Sequence, residues 1–407
     1  MRKLSSAVLT SSLLLGSFVL AQGCGSAKKP GGFFDEAPAP NKSDAAAEAA
    51  AVEVTGPGPS FADDAGDGGS LIEDGGACAT AIAETKRDPV YLLFIVDGSG
   101  SMAADNKWVS QVAALDAIFD DMLAQQDKDL GVGMILFSDA NDPTGGSGPY
   151  PSSKDVFVNY VDQAQHDLLR QRIDLSDNSG GTPTFAALSG GYKLLENLVV
   201  AAPLPPNGRK VAILMTDGVP NGGATEQDQC TSAATSELAK AGPEGPITTF
   251  AIGVGKFPGD TFSYDPKFMG KLAQAGGAAP AGCNPDETVN TNNLCHFQIT
   301  PNGKPVNQIK QEFIDAINKI RGQVQSCEFT LEQPDGGGTV DPEKVNVIYT
   351  DGNGVSHIIV QDENSGWTYD DPAMPTKVML NGSACTQMKG DPKAKVSVQL
   401  GCATKTK

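Results

Sequence analysis

The chain has 407 residues, 40% of them apolar, and a formal net charge of −19 at pH 7. This length allows two domains, one of them with a sizeable core. The acidic surface would repel phosphate backbones, so nucleic acid is excluded as a partner. The chain contains only His166, His296 and His357, which leaves little material for zinc or general-base chemistry.

The first 24 residues have the pattern of an export signal. A basic start, MRK, precedes an apolar segment over 4–20, and AQGC follows. This ending resembles a bacterial lipobox, in which lipid is attached to the cysteine, although Ala21 stands where leucine is usual. We predict a signal peptide over 1–24 and an exported protein of the cell envelope. Lipid on Cys24 would anchor it to the outer membrane or cell surface, and plain secretion is the alternative.

The next segment, 25–84, is predicted to be a disordered acidic linker. Ala, Gly and Pro dominate it, and residues 25–77 contain ten acidic side chains against three lysines. Such a composition buries too little apolar surface to offset the entropy lost on ordering.

Residues 85–325 alternate between strand and helix patterns. The predicted strands are 90–96, 131–137, 156–161, 210–215, 247–254 and 296–299. The predicted helices are 106–126, 162–173, 185–200, 227–240, 265–275 and 308–324. Several strands are continuously apolar, as strands buried on both faces are. The pattern predicts an α/β domain with a doubly wound, mostly parallel, Rossmann-like sheet.

Residues 326–407 have a different pattern and are predicted to form a small β-rich module. Its predicted strands are 345–350, 355–361, 376–380 and 396–400, with a DGNG hairpin turn after the first. Trp367 and Tyr369 stand two residues apart in this module. They are interpreted as core residues, and stacking on a sugar is the alternative.

Three polar loops of the α/β domain lie where open parallel sheets bind ligands, at the carboxyl ends of strands. The loop DGSGS contains Asp97, Ser99 and Ser101, the loop SGGTPT contains Thr182, and the loop TDG contains Asp217. Two carboxylates and three hydroxyls offer oxygen ligands alone, which suits a hard cation such as Mg²⁺, Mn²⁺ or Ca²⁺. For DGSGS taken alone, a glycine-rich turn before a helix is the simpler interpretation.

The spacing Asp97-x-Ser99-x-Ser101, followed by Thr182 and Asp217, resembles the metal-ion-dependent adhesion site of the von Willebrand factor type A domain. The segments GGTPT, LMTDGVPN, TFAIGVG and KLAQAGG strengthen the resemblance over 85–325. The resemblance implies that the three hydroxyls bind the ion directly. It implies that the two aspartates act mainly from outer positions.

The same resemblance implies a divalent-cation-dependent binding or adhesion protein with no catalytic residues. Mg²⁺ is the expected ion, and Mn²⁺ and Ca²⁺ are alternatives. A Glu or Asp carboxylate of a protein or extracellular matrix ligand would complete the coordination. The alternative function is an envelope assembly or scaffold factor that docks one fixed partner and holds a structural metal. The region after residue 326 resembles C-terminal regions that accompany type A domains in exported bacterial proteins, especially those of myxobacteria.

The eight cysteines are expected to form disulfides in an oxidising compartment. The candidate pairs are Cys283 with Cys295, Cys385 with Cys402, and Cys78 with Cys327, which leaves Cys230 unpaired and Cys24 for lipid. Spacing does not determine connectivity, so other pairings stay open.

Overall fold

A computed structural model describes residues 81–84, 86–125, 129–138, 148–174, 178–198, 204, 208–242, 245–257, 264–331, 340–391 and 393–407. The predicted signal peptide, Cys24, Cys78 and the linker up to residue 80 lie outside these residues. In the described part of the chain, no helix is both long enough and apolar enough to cross a membrane.

The described chain contains fourteen strands and seven α-helices. The strands are β1 (Ala81–Glu84), β2 (Lys86–Arg87), β3 (Val90–Asp97), β4 (Leu130–Phe137), β5 (Val156–Tyr160), β6 (Arg209–Thr216), β7 (Ile247–Val254), β8 (Phe297–Ile299), β9 (Glu328–Thr330), β10 (Val345–Thr350), β11 (Ser356–Ile359), β12 (Trp367–Tyr369), β13 (Lys377–Leu380) and β14 (Lys395–Leu400). The helices are α1 (Lys107–Gln125), α2 (Gln163–Asp174), α3 (Thr184–Glu196), α4 (Gly223–Leu238), α5 (Pro266–Ala275), α6 (Val306–Val324) and α7 (Gly382–Gly390).

The central sheet has the strand order β5-β4-β3-β6-β7-β8. Its strands are parallel except for β5, which pairs with β4 in the antiparallel direction. Helices α1, α2 and α6 cover one face of the sheet, and helices α3, α4 and α5 cover the other. One apolar cluster lies under each of these two layers of helices. The continuous apolar runs of β3 and β4 are buried over their full length. The predicted doubly wound, mostly parallel α/β fold is confirmed.

A second core lies between two antiparallel sheets, with strand orders β1-β14-β10-β11 and β12-β13-β9-β2. Strands β1 and β2 precede the α/β domain in the chain, so this β-rich module is built from both sides of it. The linker prediction was wrong at its end, because 81–84 pair with β14 from Leu400 to Ser397. Short strands that do not alternate apolar and polar residues cannot be recognised from local sequence, because their conformation depends on pairing with a distant strand. Trp367 and Tyr369 are buried in this core, with exposed fractions of 0% and 6%.

The structure confirms one predicted disulfide and corrects two. Cys283 and Cys295 are bonded. Cys327 is bonded to Cys385, so the predicted pairs Cys78 with Cys327 and Cys385 with Cys402 were both wrong. Strand β9 and helix α7 meet at the module core and bring Cys327 and Cys385 together, which spacing in the sequence does not reveal. Cys402 is also in a disulfide, and Cys230 is a buried free thiol, as expected.

Candidate functional site

The DGSGS loop begins at the end of β3, the strand at the centre of the sheet. Asp97 is the last residue of that strand and is fully buried. The Ser99 backbone N–H donates to Asp97 Oδ1 at 2.7 Å. The Gly98 N–H donates to the Phe137 carbonyl at 2.9 Å, and a Cβ at Gly98 would lie 3.0 Å from a Leu136 methyl group. The close approach to β4 therefore leaves little room for a larger side chain here.

Backbone hydrogen bonds join the first loop to the second. The Gly100 N–H donates to the Gly180 carbonyl at 3.1 Å, and the Ser179 N–H donates to the Gly98 carbonyl at 2.8 Å. Gly180 has a φ of +82°, a conformation that glycine adopts without steric cost. The turn at Gly180 thus brings the loop before α3 alongside the DGSGS loop.

Asn221 holds the Thr182 loop from the other side. The Thr182 N–H donates to Asn221 Oδ1 at 2.7 Å, and the Asn221 N–H donates to the Thr182 carbonyl at 3.0 Å. A Cβ at Gly218 would lie 2.9 Å from Thr182 Oγ1, so this hydroxyl lies directly against the residue after Asp217. The second and third loops therefore meet at Thr182.

A chain of hydroxyls connects the serines to the second carboxylate. Ser99 Oγ lies 3.0 Å from Ser101 Oγ, and Ser101 Oγ donates to Asp217 Oδ1 at 2.7 Å. Asp217 is fully buried, whereas Ser101 is exposed. The proton of Ser101 is directed to a buried carboxylate, so its oxygen keeps lone pairs for another ligand.

The two aspartates lie in an environment that disfavours a second negative charge. Burial, and secondarily the charge of Asp217, raise the pKa of Asp97 from 3.8 to about 7. The Thr216 hydroxyl donates to Asp97 Oδ2, and hydrogen bonds from Thr216 and Ser99 partly oppose that rise. A divalent cation would remove this electrostatic penalty.

The structure thus brings together all five residues that the sequence predicted, Asp97, Ser99, Ser101, Thr182 and Asp217. Their donor atoms are all oxygens, the set preferred by hard cations. In the part of the chain that the structure describes, no three His, Cys, Asp or Glu side chains form a possible metal cluster. The present set contains only two such residues and depends on hydroxyls for the rest. The residues fit a divalent cation, and their role as its ligands stays a prediction.

Sequence reasoning missed three residues at this site. They are Lys107, Thr216 and Asn221. Lys107 is 8% exposed, and its ammonium group contacts Asp217 Oδ2. Thr216 adjoins Asp217 and could have been found by its place at the strand end. No pattern in the sequence marked Lys107 or Asn221, because their partners lie more than 35 residues away along the chain.

A doubly wound sheet with oxygen-donor loops at the carboxyl ends of its strands defines an α/β domain with a candidate cation site. The particular family follows from the sequence: the model of the von Willebrand factor type A domain matches residues 92–287. The chain contains a von Willebrand factor type A domain.

Comparison with solved structures finds matches at low identity. The pilus adhesin SpaC from Lactobacillus rhamnosus GG has 15% identity and a TM-score of 0.44, over 78% of this chain and 40% of that one. A von Willebrand factor type A protein from Catenulispora acidiphila has 14% identity and a TM-score of 0.41, over 81% of this chain and 63% of that one. Manganese-loaded TRAP protein from Plasmodium vivax has 16% identity and a TM-score of 0.36, over 74% and 97%.

The chain spans about 40% of the length of the SpaC adhesin that it matches. Comparison with curated proteins finds no match.

Proposed function

We propose that this protein binds a divalent cation at Asp97, Ser99, Ser101, Thr182 and Asp217, and binds a partner's Glu or Asp carboxylate through that ion. Mg²⁺ is the proposed ion, with Mn²⁺ and Ca²⁺ as alternatives. The partner is a protein or an extracellular matrix ligand, and the role is binding or adhesion rather than catalysis. The protein is proposed to be exported and held at the cell envelope by lipid on Cys24.

One observation carries the proposal. The Ser101 hydroxyl donates a hydrogen bond to Asp217 and lies beside the Ser99 hydroxyl. Ser101 is exposed, whereas both carboxylates are fully buried, so a neutral hydroxyl oxygen is the site's contact with solvent. An ion held mainly by neutral oxygens keeps more of its positive charge than one held by several carboxylates. Such an ion favours an additional anionic ligand, which is the chemistry of a cation-dependent binding site.

The test compares the full chain with its Ser101→Ala variant, and uses Ser236→Ala on α4 as the control. Ser236 is exposed and donates only to a carbonyl of its own helix. We expect wild type and the control to bind Mn²⁺, detected by loss of the free-ion EPR signal, and the Ser101 variant to bind it at least about tenfold more weakly. Equal Mn²⁺ binding by all three proteins would contradict the assignment of the site.

The partner is tested by capture from envelope and matrix extracts, with Mg²⁺ present or with EDTA. A partner that wild type retains in Mg²⁺ and releases in EDTA, and that the Ser101→Ala variant does not retain, supports the carboxylate-bridging function. A partner that stays bound in EDTA would refute bridging and favour a scaffold role for this surface.

A further inference from the structure

Lys107 is a buried basic residue that the family motif does not include. It is the first residue of α1, and only 8% of its surface is exposed. Its ammonium contacts Asp217 Oδ2, while Asp217 Oδ1 accepts the hydrogen bond from Ser101. The two oxygens of Asp217 therefore have different partners, the Lys107 ammonium group on one and the exposed Ser101 hydroxyl on the other.

The two residues before Lys107 have an unusual backbone conformation. Asp105 and Asn106 have φ values of 55° and 60°, in the left-handed region that non-glycine residues rarely adopt. Asp and Asn tolerate this region best, yet two in succession still carry strain. One helical turn after Lys107, Gln111 Nε2 donates to the Asp97 carbonyl at 3.1 Å, which anchors the start of α1 beneath the site.

We propose, on the basis of the cation-binding function above, that Lys107 sets the charge of the site so that the loaded site takes up one carboxylate. With both aspartates ionised, as a bound cation would favour, two aspartates and one lysine give the buried cluster a net charge of −1. A divalent cation changes that charge to +1, and a single carboxylate then neutralises it. Without Lys107, the ion alone would neutralise the two aspartates, and the loaded site would have no excess charge to attract an anion.

This charge balance predicts opposite effects on two ligands. Removal of the Lys107 charge strengthens binding of the cation, because the two carboxylates then face it without competition. The same removal weakens binding of a carboxylate to the loaded site. A purely structural lysine would not behave in this way, because its loss would loosen the loops and weaken both ligands together.

The experiment measures the Mn²⁺ affinity of the full chain by EPR, once in chloride and once in acetate at the same ionic strength. Acetate is the carboxylate probe. In wild type, acetate should raise the Mn²⁺ affinity about fivefold, because linkage between two ligands is reciprocal. Lys107→Met should bind Mn²⁺ about tenfold more tightly in chloride and show no acetate effect. Lys107→Arg, which keeps the charge, should keep the acetate effect, and Lys267→Met on the exposed side of α5 should behave as wild type.

Each outcome separates this proposal from the one on which it rests. If wild type does not bind Mn²⁺, the cation site itself is refuted. If wild type binds it but Lys107→Met binds it equally or more weakly, the role in setting the charge is refuted. If Lys107→Met binds Mn²⁺ more tightly and still responds to acetate, Lys107 only competes with the cation and does not recruit the anion. Thermal melts in EDTA show whether each variant is folded. If Lys107→Met is unfolded, Lys107→Gln is measured in its place, and the same results are expected for it.

Discussion

Replacement of Asp97 by asparagine should make the cation-free protein more stable at alkaline pH and abolish its response to Mn²⁺. The new amide side chain would keep the hydrogen bond from the Ser99 N–H through its oxygen. In wild type, the Thr216 hydroxyl donates a hydrogen bond to the Asp97 carboxylate. In the variant, this hydroxyl can rotate and accept a hydrogen bond from the new NH₂ group. The substitution therefore removes one buried negative charge and leaves the loop geometry in place.

The magnitude follows from the pKa of Asp97, which burial and the Asp217 charge raise from 3.8 to about 7. A carboxyl group with a raised folded-state pKa favours folding below its unfolded-state pKa. It loses that contribution as the pH rises through the folded-state pKa. Each unit is worth about 1.4 kcal/mol, so ionised Asp97 at pH 8 lowers the free energy of unfolding by an amount on the order of 4 kcal/mol. Exchange of its charged hydrogen bonds for neutral ones costs the variant about 1 kcal/mol of this gain.

The assay is urea unfolding of the full chain between pH 4 and pH 8 in EDTA, repeated with Mn²⁺. We expect Asp97→Asn to match or fall slightly below wild type at pH 4 and to exceed it at pH 8. Mn²⁺ should stabilise wild type by about 2.7 kcal/mol at a hundredfold excess over its Kd, and should not stabilise Asp97→Asn. Asp228→Asn, which removes an exposed carboxylate from α4, is the matched control and should follow wild type. Parallel pH profiles for wild type and Asp97→Asn in EDTA would refute the reasoning.

Three further predictions concern the module and the site. The double variant Cys327→Ser, Cys385→Ser opens a loop with a sequence separation of 58 and should lose about 4 kcal/mol in urea unfolding, with unchanged Mn²⁺ affinity. An unaltered urea midpoint would contradict this. Gly218→Ala places a methyl group 2.9 Å from Thr182 Oγ1 and should weaken Mn²⁺ binding, measured by EPR, about tenfold. If this variant binds Mn²⁺ with wild-type affinity, the Thr182 hydroxyl is not a ligand. Trp367→Ala empties a fully buried position and should lower the free energy of unfolding, measured by calorimetry, by about 3–5 kcal/mol. A near-neutral effect would show that this ring contributes little to the stability of the core.

The central α/β fold could be predicted because its strands are buried on both faces. A strand such as β3 must then be apolar at every position, and that run is visible without any knowledge of its neighbours. The β-rich module was harder to predict from the sequence. Its strands β9 and β12 have three residues each, and β1 and β2 lie more than two hundred residues before the strands with which they pair. Such elements owe their conformation to the partner strand more than to local sequence.

The same distinction applies to the site. By itself the sequence determined the residues that could act as oxygen ligands, since Asp97, Ser99 and Ser101 stand at the end of a buried strand and the carboxyl ends of parallel strands meet at one edge. Only the tertiary structure decided that Lys107 contacts Asp217 and that Asn221 holds Thr182, because these contacts join residues far apart in the chain. The motif therefore specifies which cation chemistry is possible. The charge on the site, and with it the proposed preference for an anionic partner, depends on how the chain packs.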